Sequence, residues 1–184
     1  MKWLAIAILL PAPVFAQSFD APPVIEIAGV SLQALETDAC INDQVTKGPG
    51  GLVTRAARSC IGRSARACEA DAVACFGLER AYWDWRIAKN YEGLRAWVTD
   101  RPEAENENLR ASVANPATAT ANVVLECALR VGQTNQTATA AQDQAACEMR
   151  ETALIALELE FTVRQACEDA DSGAFAVFCG KGVE

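Results

Sequence analysis

Eight cysteines make up most of the chain's reactive inventory: Cys40, Cys60, Cys68, Cys75, Cys127, Cys147, Cys167 and Cys179. There is no histidine. That single absence removes Ser-His-Asp and Cys-His catalysis, imidazole metal sites and histidine-based pH switching. No two cysteines form a CxxC pair, so a zinc cluster lacks its usual spacing, and no metal site is expected. An even number of cysteines in an exported chain implies disulfides, and eight allow four. The sequence admits many pairings. Short loops close at least entropic cost, which favours Cys40–Cys60, Cys68–Cys75, Cys127–Cys147 and Cys167–Cys179. Each such bridge is worth about 2–4 kcal/mol.

The other reactive groups are carboxylates. Paired acids can hydrolyse glycosides, and Glu79, Asp84, Glu103 and Glu105 are candidates by type. With 24 Asp+Glu in 184 residues, though, chance pairs are inevitable, and nothing marks one acid for a raised pKa across a cleft. Aligned on Asp169-x-Asp171, the run from Glu168 to Gly173 resembles a calcium loop only in its acids, lacking the acidic fifth position, the sixth-position glycine and the closing glutamate. No GxxxxGK[ST] or GxGxxG occurs, so nucleotide binding has no support. The expectation is a protein without catalytic residues or cofactor. The 16 Lys+Arg leave a formal charge of -8, which argues against nucleic acid or an anionic membrane as partner.

These residues need elements to position them. Lys2, an apolar run from Leu4 to Leu10, and the small residues Val14 and Ala16 describe a secretory signal peptide over residues 1–16. The run is too short to span a bilayer, so no membrane span is expected after cleavage. Residues 17–30, with Pro22, Pro23 and Gly29, read as an extended lead-in. Ser31 is a candidate N-cap for a helix to about residue 45, opening a helical domain over 31–168. A Gly-Pro-Gly-Gly turn at 48–51 precedes a helix over 52–67. Asp71 is a strong N-cap for a long helix over 72–98. A polar helix start at 103–110 breaks at Asn115-Pro116, followed by a shorter helix over 117–131. Residues 132–140, rich in Thr, Asn and Gln, read as a loop. A last long helix covers 142–168, and residues 169–184 form a tail tethered by Cys179. No segment alternates convincingly, so no sheet is expected. The fold class is all-α: about five helices in disulfide-stapled hairpins or a small bundle.

In the long third helix, Arg80, Asp84, Ile87, Tyr91, Leu94 and Val98 fall on one stripe at helical spacing. In the last helix, Cys147, Arg150, Leu154, Leu157 and Phe161 do the same. A charge on a core-facing stripe needs a partner, so Asp84 and Arg150 are expected to meet between the two helices, with Arg80 as the competing local partner. Leu78, Tyr82 and Trp85 cluster on another flank. They are either covered by a helix or form an anchor patch for a partner. Trp83 reads as core.

These same residues carry a resemblance. Cys75-x3-Glu79-x3-Trp83-Asp84-x2-Ile87-x3-Tyr91, preceded by Cys60-Ile61-Gly62 and Cys68, resembles the first helical signature of the lysozyme inhibitor LprI-like N-terminal domain family. Cys147-x2-Arg150-x-Thr152-x3-Ala156-Leu157-x-Leu159-Glu160 resembles its closing helix, with a matching Cys127-to-Cys147 spacing. The likeness covers about residues 38–160. The chain departs from the family's pattern at Ala88, where an Asn is usual, and over 120–126, where a Trp and an Arg-Asp pair are usual.

The resemblance implies an exported, periplasmic or secreted protein that binds and inhibits lysozyme. An acidic chain would be steered toward a basic lysozyme. Glu103, Glu105 and Glu107 and the Leu78/Tyr82/Trp85 flank are the candidate contacts; otherwise the glutamates are a solvated helix start. The alternative partner is another envelope protein, with the chain as a scaffold or assembly module. A glycoside hydrolase is the distant third reading.

Overall fold

A computed structural model describes residues 24–27, 30–33, 35–47, 51–101, 107–134 and 139–181. The fold is the expected all-α, disulfide-stapled one. Its helices are α1 (Leu35–Thr46), α2 (Leu52–Ser59), α3 (Arg63–Ala67), α4 (Ala72–Thr99), α5 (Glu107–Val113), α6 (Val123–Thr134), α7 (Ala140–Glu168) and α8 (Gly173–Phe178). A 3-10 turn at Pro116–Thr120 lies between α5 and α6. The four cross-links join Cys40 to Cys60, Cys68 to Cys75, Cys127 to Cys147 and Cys167 to Cys179, the pairing that loop length favours. They assign the folded chain to an oxidising, extracellular-type environment.

Three boundaries differ from the expectation; one is the helix expected over 117–131, which is instead the 3-10 turn followed by α6, running on to Thr134 into the expected loop. The chain between Val24 and Gln33 is not an extended lead-in running into a helix capped by Ser31. It is a short antiparallel hairpin, β1 (Val24–Ile27) and β2 (Val30–Gln33), with Ile27 opposite Val30. Four-residue strands are too short to display an alternation, but their β-branched content favours them. The hairpin lies against α4, and α1 starts at Leu35. The helix expected over 52–67 is split at Gly62, which adopts a left-handed φ of 79° that Cβ-bearing residues avoid.

The long helices follow their local signals. The Asp71 carboxylate accepts from the Val73 and Ala74 amides at 3.0 and 3.1 Å, closing the N-terminus of α4. The Asn115 side chain caps the 3-10 turn through the Ala117 amide at 3.0 Å. α4 and α7 are the principal packed pair. Their cross-contacts advance together, from Arg80–Glu148 to Asn90–Ala156, so they run in the same direction. The main core lies between them and α1 and α2, centred on Ile41, Leu78, Tyr82, Trp83, Ile87, Met149 and Leu157.

The segment after residue 168 is more than a tether. Val163, Cys167, Phe175 and Ala176 form a second cluster, packed against Leu94 and Trp97. Asp100, the C-cap of α4, accepts from the Ala174 and Phe175 amides at 3.0 and 2.7 Å, so one long helix ends by capping the short one. Phe178 lies directly over Gly93, where any Cβ would overlap the ring. Among the described residues no helix is long and apolar enough to cross a membrane.

Candidate functional site

The Asp84–Arg150 pairing does not form. Asp84 is exposed at the surface of α4 and, among the described residues, has Arg80, at 4.0 Å, as its one ionic partner. Partial burial pushes its carboxyl above the ordinary value, and Arg80 opposes that shift. Arg80 reaches across to Glu148 of α7. Arg150 is exposed on α7. The physical reason is register. The buried stripe of α7 runs through Met149, Ala153, Ala156, Glu160, Val163 and Cys167, one position away from the stripe its larger residues suggest. One residue is a 100° rotation, which carries Arg150 outward. Small Ala153 and Ala156 are buried in the same core as the bulky Tyr82 and Trp83 of α4.

The charge pair between these helices is instead Arg86 with Glu160. Arg86, 1% exposed, donates through Nε to Glu160 Oε2 at 3.0 Å. Its Nη1 donates to Asp38 Oδ1 of α1 at 2.6 Å and to the Tyr82 hydroxyl at 2.8 Å. The Tyr82 hydroxyl donates to the same Asp38 oxygen at 2.9 Å. The other Glu160 oxygen accepts from Arg164 Nε and Nη2, at 3.0 and 2.7 Å. Burial alone would raise the Glu160 pKa, but Arg86 and Arg164 outweigh it and hold the carboxyl below its ordinary value. Burial alone would likewise lower Arg86; Glu160, Tyr82 and Asp38 reverse that and lock its charge. Burial drives the Tyr82 phenol far up, so it stays protonated and donates. The network ties α1, α4 and α7 into one unit.

Glu79 is fully buried and performs a different task. Its two oxygens accept from the Gly62 and Ala65 amides, both at 2.7 Å, and from the Trp83 indole at 3.2 Å. It therefore caps α3 from a distant helix. Desolvation raises its pKa more than these three donors and the charge of Arg66 lower it. Trp83, Ile87 and Tyr91 are buried core, and Thr152 is buried on the α7 face turned toward α4. Asn90, also buried, donates to the Ala156 carbonyl at 3.5 Å.

The flank of Leu78, Tyr82 and Trp85 is covered. Leu78 and Tyr82 are wholly buried, and Trp85 is half-buried and stacked on Tyr82 at 5.9 Å between centroids. Glu107 is the first residue of α5, while Glu103 and Glu105 lie outside the described residues.

The exposed apolar surface sits elsewhere. α6 turns Val124, Leu125 and Leu129 to solvent, at 44%, 61% and 57% exposure. Helical geometry puts Leu125 and Leu129 opposite Val123 and Cys127, which are buried, with Val124 on the flank between. The Cys127–Cys147 bridge pins this helix to α7. Glu126 is exposed beside the patch, and Arg130 reaches Glu151 at 2.7 Å. Sequence reading places α6 as a helix but does not single out this face; the run Val123-Val124-Leu125 is its only signal, since three successive apolar residues cannot all face inward. No family model, curated protein or solved structure matches this chain.

Proposed function

We propose that this chain is an exported binding protein of the periplasm or the extracellular space. As the family resemblance of its helical signatures implies, it binds a basic lysozyme and slows that enzyme; the face we assign to that contact is the outer side of α6. The observation that carries this reading is the exposed trio Val124, Leu125 and Leu129 on a helix held rigid by a disulfide. A contiguous apolar face bordered by polar side chains is the usual core of a protein contact. Pinning α6 in advance lowers the ordering cost of association. The formal charge of -8 adds long-range attraction to a basic partner and speeds encounter at low salt. Binding rather than chemistry is favoured because all eight cysteines are in disulfides and the buried ionisable groups are engaged in joining helices.

A turbidity assay tests it. Oxidised protein added to lysozyme and bacterial cells should slow clearing, and Leu125→Ser with Leu129→Ser should abolish the effect while the helical circular dichroism stays unchanged. Clearing at an unaltered rate would instead favour a different envelope partner, and faster clearing would indicate a glycosidase; either result overturns the proposal.

A further inference from the structure

A groove of about 600 Å³ lies between α2 and the first half of α7, with α4 beneath it. Its charge is opposite to that of the molecule. Acids outnumber bases 24 to 16 in the chain, yet the charged residues among the described lining are Arg58, Arg66 and Arg150, with no acid. Arg58 and Arg150 are exposed, and no described carboxylate lies within 4 Å of either guanidinium. Arg66 is also exposed, its Nη1 reaching the Ile61 carbonyl at 3.5 Å. Between these cations the surface is apolar, contributed by Ile61, Phe76 and Leu154.

We infer that this groove is a second binding site, which takes an acidic peptide segment with apolar side chains from another envelope protein. Forked guanidiniums on a rim match carboxylates, and the floor matches the side chains between them. The groove volume falls in the range that accommodates a few such side chains. A peptide suits the site better than an anionic membrane, because a flat negative surface would meet the whole chain at a charge of -8 whereas a peptide meets only the groove. The site is independent of α6, and its sign would repel a basic lysozyme.

The test uses the oxidised full chain and a fluorescein-labelled synthetic peptide with a Leu-Phe-Leu centre flanked by glutamates, followed by anisotropy. Binding should saturate and weaken as salt rises. Arg58→Glu with Arg150→Glu should lower affinity at least about tenfold. Leu154→Ser should also weaken it, whereas Arg63→Glu, outside the groove, should leave it unchanged. Circular dichroism and a thiol count confirm that each variant is folded and oxidised. Should Arg58→Glu with Arg150→Glu fail to fold, Arg150→Gln alone must still reduce binding. Three results overturn the site: no saturable binding, equal binding by the charge-reversed variant, or binding to phosphatidylglycerol vesicles but not to the peptide.

Discussion

Replacing Arg86 by Met removes the guanidinium that joins three helices. Glu160, 1% exposed, keeps Arg164 as its ionic partner among the described residues, and the Asp38 carboxylate keeps the Tyr82 hydroxyl and the Asn42 side-chain amide. Breaking a buried pair from one side costs about 3–5 kcal/mol, because the remaining charge stays desolvated. Arg164 still compensates Glu160, so the lower end applies: about 3 kcal/mol, or roughly 6–12 °C in melting temperature. The informative variant is Arg86→Met with Glu160→Leu. It removes both charges and fills the gap with apolar volume, while Arg164, 18% exposed, can turn toward water. Guanidinium unfolding without reductant should therefore show the double variant to be more stable than Arg86→Met alone. A double variant less stable than Arg86→Met by the full loss of Glu160→Leu alone, so that the two single losses add relative to the unsubstituted chain, would refute the idea that these charges compensate each other.

Three further outcomes follow from the same packing. The Glu160 carboxyl is held below its ordinary value of 4.5, so its contribution is present above that pH and is lost as pH falls through its lower folded value. Glu79, shifted upward, contributes with the opposite sign, so acidification first relieves its buried charge. Stability measured against pH should pass through a mildly acidic maximum, and Glu160→Gln should flatten the fall below pH 4.5; an unchanged fall contradicts the assignment. In α4, Gly93→Ala should cost about 1–3 kcal/mol through overlap with Phe178, while Gly77→Ala, with open space at its Cβ, should gain about 0.5–1 kcal/mol from helix propensity. Equal effects at the two sites would refute the close packing of α8. Glu79→Ala leaves two buried amides and an indole without their acceptor and should cost about 3 kcal/mol or more. Hydrogen exchange at Ala65 should accelerate, and unchanged protection would show that the cap is dispensable.

Much of the scaffold is legible in the chain because its signals are local. Asp71 marks the start of α4, proline and glycine positions separate the helices, and cysteine spacing predicts all four bridges. What is not legible depends on which side of a long helix faces inward. α4 buries several faces at once, from Cys75 to Val98, so its apolar residues do not define one stripe. Large side chains on α7 point to the wrong register, since Ala153 and Ala156 are buried where α4 supplies the bulk. The spacing of Glu79, Arg86 and Asn90, in step with buried Tyr82 and Trp83, is the one sequence signal of the true network. The exposed α6 face arises because no described element covers it, and the run Val123-Val124-Leu125 is the one local hint of it.

The most direct test of the account is the association rate of the oxidised chain with a basic lysozyme, followed by stopped-flow fluorescence across a salt series. Binding should saturate, with an on-rate that falls as salt rises and a dissociation that quickens in Leu125→Ser with Leu129→Ser. Absence of binding at low salt, or binding untouched by those two substitutions, would contradict it.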